Sequence, residues 1–334
     1  MRWLEFMPLH PPVSGRGRPS FVRPAGADGR LPRRVEASRG EGTEMAQIEA
    51  NGIRIEVETR GPDDAPAFVL IRGLSTQLIQ WPDAFLDRFL AAGYRVVVFD
   101  NRDCGLSTKF DRQPMPDMGD VVTGKVAPFY GVADMARDVV GVLDALGIDR
   151  ADVAGISLGG MVAQHLAIDH GERFRSVTSV MSSSGAPGLP SGTPEALAAL
   201  TERPEDPDDR EGVIQHNMRT QAVIMSPGFP MTEDELRAYF EGAYDRCYCP
   251  DGSTRQMMAV LTDTDRPERL AEISVPFQVV HGREDPLIPL ACGEDTAKRA
   301  GAPLVVIDGM AHDVTLANSA VLAEALLDFA RAQP

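Results

Sequence analysis

The chain predicts an α/β fold: a mostly parallel central sheet with helices on both faces and an inserted helical cap. From residue 45 onward, short apolar runs of buried-strand type alternate with amphipathic helical stretches, the pattern of strands joined by crossover helices. One long stretch, about 184–271, breaks that alternation with helix-like and Pro/Gly-containing sequence. A structureless loop of that length does not suit a compact domain, so it is expected to form the cap. The chain's 334 residues, 43% of them hydrophobic, suffice for one large core.

Residues 1–44 differ from the rest. They hold Arg-, Gly- and Pro-rich runs such as Ser14-Gly15-Arg16-Gly17-Arg18-Pro19, with no sustained apolar period. Such a segment cannot offset its ordering entropy and is expected to be disordered. Neither its basic residues nor the Arg33-Arg34 pair is followed by the apolar core of an export signal. Met45 is expected to open the folded domain. Gln47 to Thr59 alternates apolar and polar residues around Asn51-Gly52, a hairpin signal. Ala67 to Ile71 is a buried strand running into Arg72-Gly73-Leu74, and Trp81 to Ala92 sets Phe85, Phe89 and Leu90 on one helical face. Tyr94 to Phe99 is a second buried strand, followed by the polar loop Asp100-Asn101-Arg102-Asp103. Met135, Val139, Val142, Leu143 and Leu146 mark a helix that ends at Gly147. Then come a strand at Ala151 to Gly155, a helix from Leu158, and strands at Val177 to Met181, Phe277 to His281 and Leu304 to Ile307. A closing helix carries Leu322, Leu326, Leu327 and Phe329. Within the cap, the acidic stretch Glu202 to Glu211 suits a solvated surface.

Thirty-three basic residues against 49 acidic ones give a formal charge of −16. That surface repels phosphate backbones and anionic lipid, which argues against nucleic-acid and membrane-surface roles. No apolar run reaches the roughly 18 residues of a membrane span. The four cysteines (Cys104, Cys247, Cys249, Cys292) form no framework, and the Cys247/Cys249 pair lacks companion ligands for a metal. Free thiols in the cytoplasm are expected, with neither cofactor nor metal.

The chemistry is carried by Gly155-Ile156-Ser157-Leu158-Gly159, directly after a strand and directly before a helix. A serine there stands on a sharp turn above the carboxyl edge of the sheet. A hydroxyl becomes a useful nucleophile only when a base takes its proton. Of six histidines, His312 follows the last strand in Gly309-Met310-Ala311-His312, on the same edge. His165, inside the helix after Ser157, is expected to be structural, as are His170 and His216, while His10 falls in the disordered segment. His281, at a strand end, is expected to anchor its turn, although it could approach the site. Asp285, in Gly282-Arg283-Glu284-Asp285-Pro286, is the acid expected to orient the base, with Glu284 as its neighbouring competitor. The amides of Leu158 and, from the Arg72-Gly73-Leu74-Ser75 loop, of Leu74 are expected to hold a tetrahedral oxyanion.

From Met45 onward the chain resembles α/β-hydrolase-fold serine hydrolases, in particular the aclacinomycin methylesterase branch and its carboxylesterase neighbours. The likeness rests on Asp100-Asn101-Arg102-Asp103-Cys104-Gly105-Leu106-Ser107, Gly155-Ile156-Ser157-Leu158-Gly159-Gly160, Gly282-Arg283-Glu284-Asp285 and Gly309-Met310-Ala311-His312. It implies a nucleophile at Ser157, an acid at Asp285, a base at His312 and no cofactor. Two departures stand out: Arg72 replaces the histidine of a common His-Gly pair, and Asp103-Cys104 interrupts an Arg-Gly turn. The expected activity is hydrolysis of small to medium apolar carboxylic esters through an acyl-enzyme. Its rivals are lactone, amide or carbon–carbon bond hydrolysis or perhydrolysis on the same triad, and a non-catalytic ligand receptor on the same fold. Met225, Tyr239, Tyr244 and Met257 are candidate substrate contacts in the cap. Packing is the alternative role for these and for Met218, Met231 and Met258.

Overall fold

The computed structural model describes residues 43–112 and 114–333. The expected disordered segment, apart from its last two residues, lies outside them. Those two, Thr43 and Glu44, already belong to strand β1 (Thr43–Ala50), so the first strand starts ahead of Met45. It pairs antiparallel with β2 (Ile53–Arg60) across the Asn51-Gly52 turn, where both residues take positive φ (49° and 75°). This is the backbone an Asn-Gly hairpin provides.

Six further strands complete one sheet: β3 (Ala67–Ile71), β4 (Arg95–Phe99), β5 (Ala151–Ile156), β6 (Phe174–Val180), β7 (Phe277–Gly282) and β8 (Leu304–Ile307). Their order is β1-β2-β4-β3-β5-β6-β7-β8, and all pairs from β4 onward to β8 are parallel. Helices cover both faces, which is why these strands read as continuous apolar runs. Side chains alternate between the two layers: Val69, Ile71, Val97 and Phe99 join one core, Phe68, Leu70, Val96 and Val98 the other. The first core is covered by α3 (Val132–Ala145) and α4 (Leu158–Asp169), the second by α1 (Asp83–Ala91) and α11 (Ser319–Arg331). Helix α2 (Met118–Val122) is short and lies in the β4–α3 connection. Helix α10 (Leu290–Ala300), the crossover between β7 and β8, carries no long apolar stripe; it buries Cys292, Gly293, Thr296 and Ala297.

Between β6 and β7 the chain forms α5 (Pro194–Thr201), α6 (Arg210–Ile224), α7 (Glu233–Arg246), α8 (Pro250–Leu261) and α9 (Arg266–Arg269). A Thr232/Glu235 capping box starts α7. The last part of the stretch expected to form the cap, after α8, packs on α4. Arg266 is buried against α4, bonding Gln164 and the Ser183 carbonyl, and Asp263 accepts from His165 of α4 at 2.9 Å. No helix among the described residues is long and apolar enough to cross a membrane.

Candidate active site

Parallel pairing brings the functional loops to one edge. Ile71 lies opposite Gly155, so the loop after β3 leaves the sheet beside the turn after β5. Gly282 lies opposite Ile307, so the loops carrying Asp285 and His312 also leave side by side. Ser157 holds φ 56° and ψ −118°, a strained conformation for a residue with a side chain. The turn closes so tightly that a Cβ on Gly155 would collide with the Gly159 carbonyl, and one on Gly159 with the Ile71 carbonyl. Both glycines of the motif are therefore required by packing. The Ser182 hydroxyl donates to the Ser157 carbonyl at 2.8 Å and braces the turn from β6.

Ser157 Oγ lies 3.0 Å from His312 Nε2, and His312 Nδ1 lies 2.7 Å from Asp285 Oδ2. Asp285 can only accept when ionised, so Nδ1 carries the proton and Nε2 is left to accept from the serine hydroxyl. Asp285 is held in turn: its Oδ1 accepts from the amides of Leu287 and Ile288, both at 2.9 Å. Glu284 takes no part, since its carboxylate caps the Gly309 amide at 2.7 Å. His281 is fully buried, its Nε2 donates to the Ile288 carbonyl at 2.8 Å, and burial holds its imidazole below the usual histidine range. It anchors the Asp285 loop.

Leu158 opens α4, so its amide is one of the donors that a helix start leaves free. The Leu74 amide likewise has no acceptor among the described residues. The loop carrying it packs on the nucleophile: a Cβ on Gly73 would lie 3.2 Å from Ser157 Cβ. The arrangement joins a hydroxyl, a base, an orienting acid and two free amide donors beside one serine. It can carry out acyl transfer.

The cap candidates divide. The phenol of Tyr239 reaches the body and accepts from Arg72 Nη2 at 2.6 Å. Met225 precedes Ser226, whose amide and hydroxyl bond Asp313, the neighbour of His312. Met257 is half-buried next to Gln256, whose side chain accepts from the Ser75 amide at 2.9 Å. Tyr244 instead stacks on Tyr248 inside the cap and joins the apolar cluster of Ile214, Met218 and Leu236. Met218 and Met258 are both buried.

Several residues of the site's surroundings were not legible as such. The loop after β4 is a buried clasp. Asp100 accepts from the Leu78 amide and from Arg246 of α7, both at 2.7 Å, and Asp103 holds Arg255 of α8 through two bonds of 2.7 and 2.9 Å. The Ser226–Asp313 pair is a second cap-to-body link: the Ser226 hydroxyl also accepts from the Ala311 amide at 2.8 Å, and burial raises the Asp313 carboxyl above its usual range. A run of polar residues after a buried strand was the one signal for the clasp; nothing local marks Ser226.

A profile of the alpha/beta hydrolase fold matches residues 66–317. The chain is 28% identical to the rhodomycin D methylesterase DnrP of Streptomyces peucetius, over 81% of this chain and 92% of that protein. Among solved structures, an N-acyl homoserine lactone degrading enzyme is similar at TM-score 0.62 and 26% identity, over 85% of this chain and 100% of that one. A 2-hydroxy-6-oxo-6-phenylhexa-2,4-dienoate hydrolase from Rhodococcus sp. strain RHA1 shares the fold at TM-score 0.67 and 22% identity, over 87% of this chain and 100% of that one. With its profile match spanning most of the chain and its strand order and loop placement consistent with it, this protein belongs to the alpha/beta hydrolase fold family.

Proposed function

We propose that this chain is a serine hydrolase that cleaves small to medium carboxylic esters through Ser157, His312 and Asp285. The observation that carries the proposal is the unbroken hydrogen-bonded series Ser157 Oγ, His312 imidazole, Asp285 carboxylate, at 3.0 and 2.7 Å. In this mechanism His312 Nε2 takes the hydroxyl proton as Ser157 Oγ attacks the ester carbonyl, and the Leu74 and Leu158 amides hold the developing oxyanion. The imidazolium, held by Asp285, then protonates the leaving alcohol. Water, deprotonated by the same base, attacks the acyl-enzyme and releases the acid. The methylesterase relative supports an ester as the substrate. The lactone-degrading neighbour favours one second reading, the opening of a cyclic ester by the same steps.

The test pairs active-site labelling with turnover. A fluorophosphonate probe should label the wild-type chain at Ser157, and a series of p-nitrophenyl esters of rising acyl length should be hydrolysed. Ser157→Ala should lose labelling and roughly 10⁴- to 10⁶-fold in rate while keeping its fold. A folded wild-type chain that neither labels nor turns over any ester or lactone would assign the fold to ligand binding instead.

A further inference from the structure

Five arginines are buried among the described residues: Arg72, Arg95, Arg102, Arg255 and Arg266. Four sit on a carboxylate, namely Arg95 on Asp63, Arg102 on Asp138, Arg255 on Asp103 and Arg266 on Asp263. Arg72 has none among the described residues. It is 3% exposed, and its Nε and Nη1 donate to nothing. The guanidinium lies over the Trp81 ring, 4.7 Å from its centroid, and Nη2 donates to the Tyr239 phenol. A buried cation without a counter-charge is costly to keep. This one is bonded directly to Gly73, the residue packed against Ser157.

Tyr239 completes the pair. Its oxygen accepts from Arg72, so its own hydroxyl proton is free to point elsewhere, and no acceptor among the described residues takes it. The ring is half-buried at the cap, and burial raises the phenol above its usual range, which keeps it a donor. A hydroxyl backed by a guanidinium is a charge-assisted donor, suited to an anionic oxygen.

We propose that Arg72 and Tyr239 form an anion-recognition subsite, in which the Tyr239 hydroxyl, backed by Arg72, takes a carboxylate carried by the ester substrate. One cation and one phenolic proton match a monoanion, and a chain of net charge −16 disfavours polyanions. The proposal rests on the esterase reading above and narrows its substrate class to an apolar ester bearing a single carboxylate.

The test compares two esters of equal acyl length, the mono-p-nitrophenyl ester of adipic acid and p-nitrophenyl hexanoate, with spontaneous hydrolysis subtracted. Wild type should favour the carboxylate ester at least tenfold in kcat/KM. Arg72→Gln and Tyr239→Phe should each lower that ratio about tenfold, and Arg72→Lys should restore part of it. A wild-type ratio near one, or equal losses on both esters in both variants, would overturn the subsite. Should Arg72→Gln fail to fold, the half-buried Tyr239→Phe still decides. Calorimetry of adipate binding separates this proposal from the esterase reading. Ser157→Ala protein should bind adipate about tenfold more tightly than the Ser157→Ala/Tyr239→Phe double variant. Adipate binding without turnover of any ester would sink the esterase reading and keep the subsite, whereas ester turnover without adipate binding would do the reverse.

Discussion

At the carboxyl edge of the sheet the proposed reacting groups are fixed chiefly by backbone, whereas the cap helices α7 and α8 are fixed chiefly by side-chain bonds. Ser157, Asp285 and His312 stand on loops that parallel pairing places side by side, closed by glycines that admit no side chain and by amides bonded to Asp285. Helices α7 and α8 are tied down through Arg246 on Asp100 and Arg255 on Asp103, while the segment after α6 combines Ser226 on Asp313 with backbone bonds from His312 to Ile224 and from Gly228 to Gly309. Backbone fixation tolerates loss of a side chain without loss of fold. Fixation by buried charge pairs does not, because the partner left behind is an uncompensated charge.

The two regions should therefore fail differently. Asp285→Asn should lower kcat by roughly 10³- to 10⁴-fold, because an amide no longer holds the imidazole in the required tautomer. Its thermal midpoint should stay close to wild type, and steady-state kinetics with a melting curve would show both. A midpoint that fell with the activity would make the site depend on the acid for its fold. Arg255→Met should do the opposite: it leaves Asp103 buried with the Tyr130 hydroxyl at 2.8 Å as its remaining side-chain partner. A stability loss of about 3 kcal/mol is expected, read by denaturant unfolding, with KM rising more than kcat falls. Ser226→Ala lies between the two regions. It removes the acceptor of the Ala311 amide and a donor to Asp313, and should cost roughly tenfold in kcat/KM by loosening the His312 loop. Unchanged kinetics would show that the backbone bond from the His312 amide to the Ile224 carbonyl, at 3.0 Å, holds the loop without Ser226.

The same contrast decides what could be read from the amino-acid sequence. The body was legible because each strand is a short apolar run, and the proposed catalytic residues follow strand ends: Ser157 after β5, Asp285 after β7, His312 after β8. Helix α10 was missed because Gly293 and Thr296 stand where a stripe of large apolar residues would have marked it. Gly293 is needed there, since a Cβ would collide with His281. The cap contacts were not legible, because the partners are far apart in sequence: Asp103 with Arg255, Asp100 with Arg246, Arg72 with Tyr239. A polar loop before folding and a buried clasp after it have the same residues. For a related reason, nothing local says that Arg266 turns into the body.

The smallest expected effect concerns His281, the buried imidazole beneath the Asp285 loop. Burial is the main cause that lowers its titration, and His312 acts in the same sense. The Asp285 carboxylate 3.7 Å away, the Ile288 carbonyl and Glu294 pull the other way. An unfolded histidine titrates near 6.5. As pH falls through about 6.5, the unfolded chain takes up a proton that the folded chain refuses. The unfolded state then binds more protons, and stability drops with falling pH, by at most about 1.4 kcal/mol per pH unit for one group. Above that range the contribution is fully present and flat. Other groups titrate in the same window, so the quantity to measure is the gap between wild type and His281→Gln in unfolding free energy from pH 5 to 8. His281→Gln should be the less stable at pH 8, having lost packing, and the gap should narrow on acidification. A gap that widened instead would mean that Asp285 holds His281 charged in the folded chain. Repeating the series in Asp285→Asn removes that attraction and should make the narrowing steeper, which separates the burial of the histidine from the pull of the acid assigned to the proposed triad.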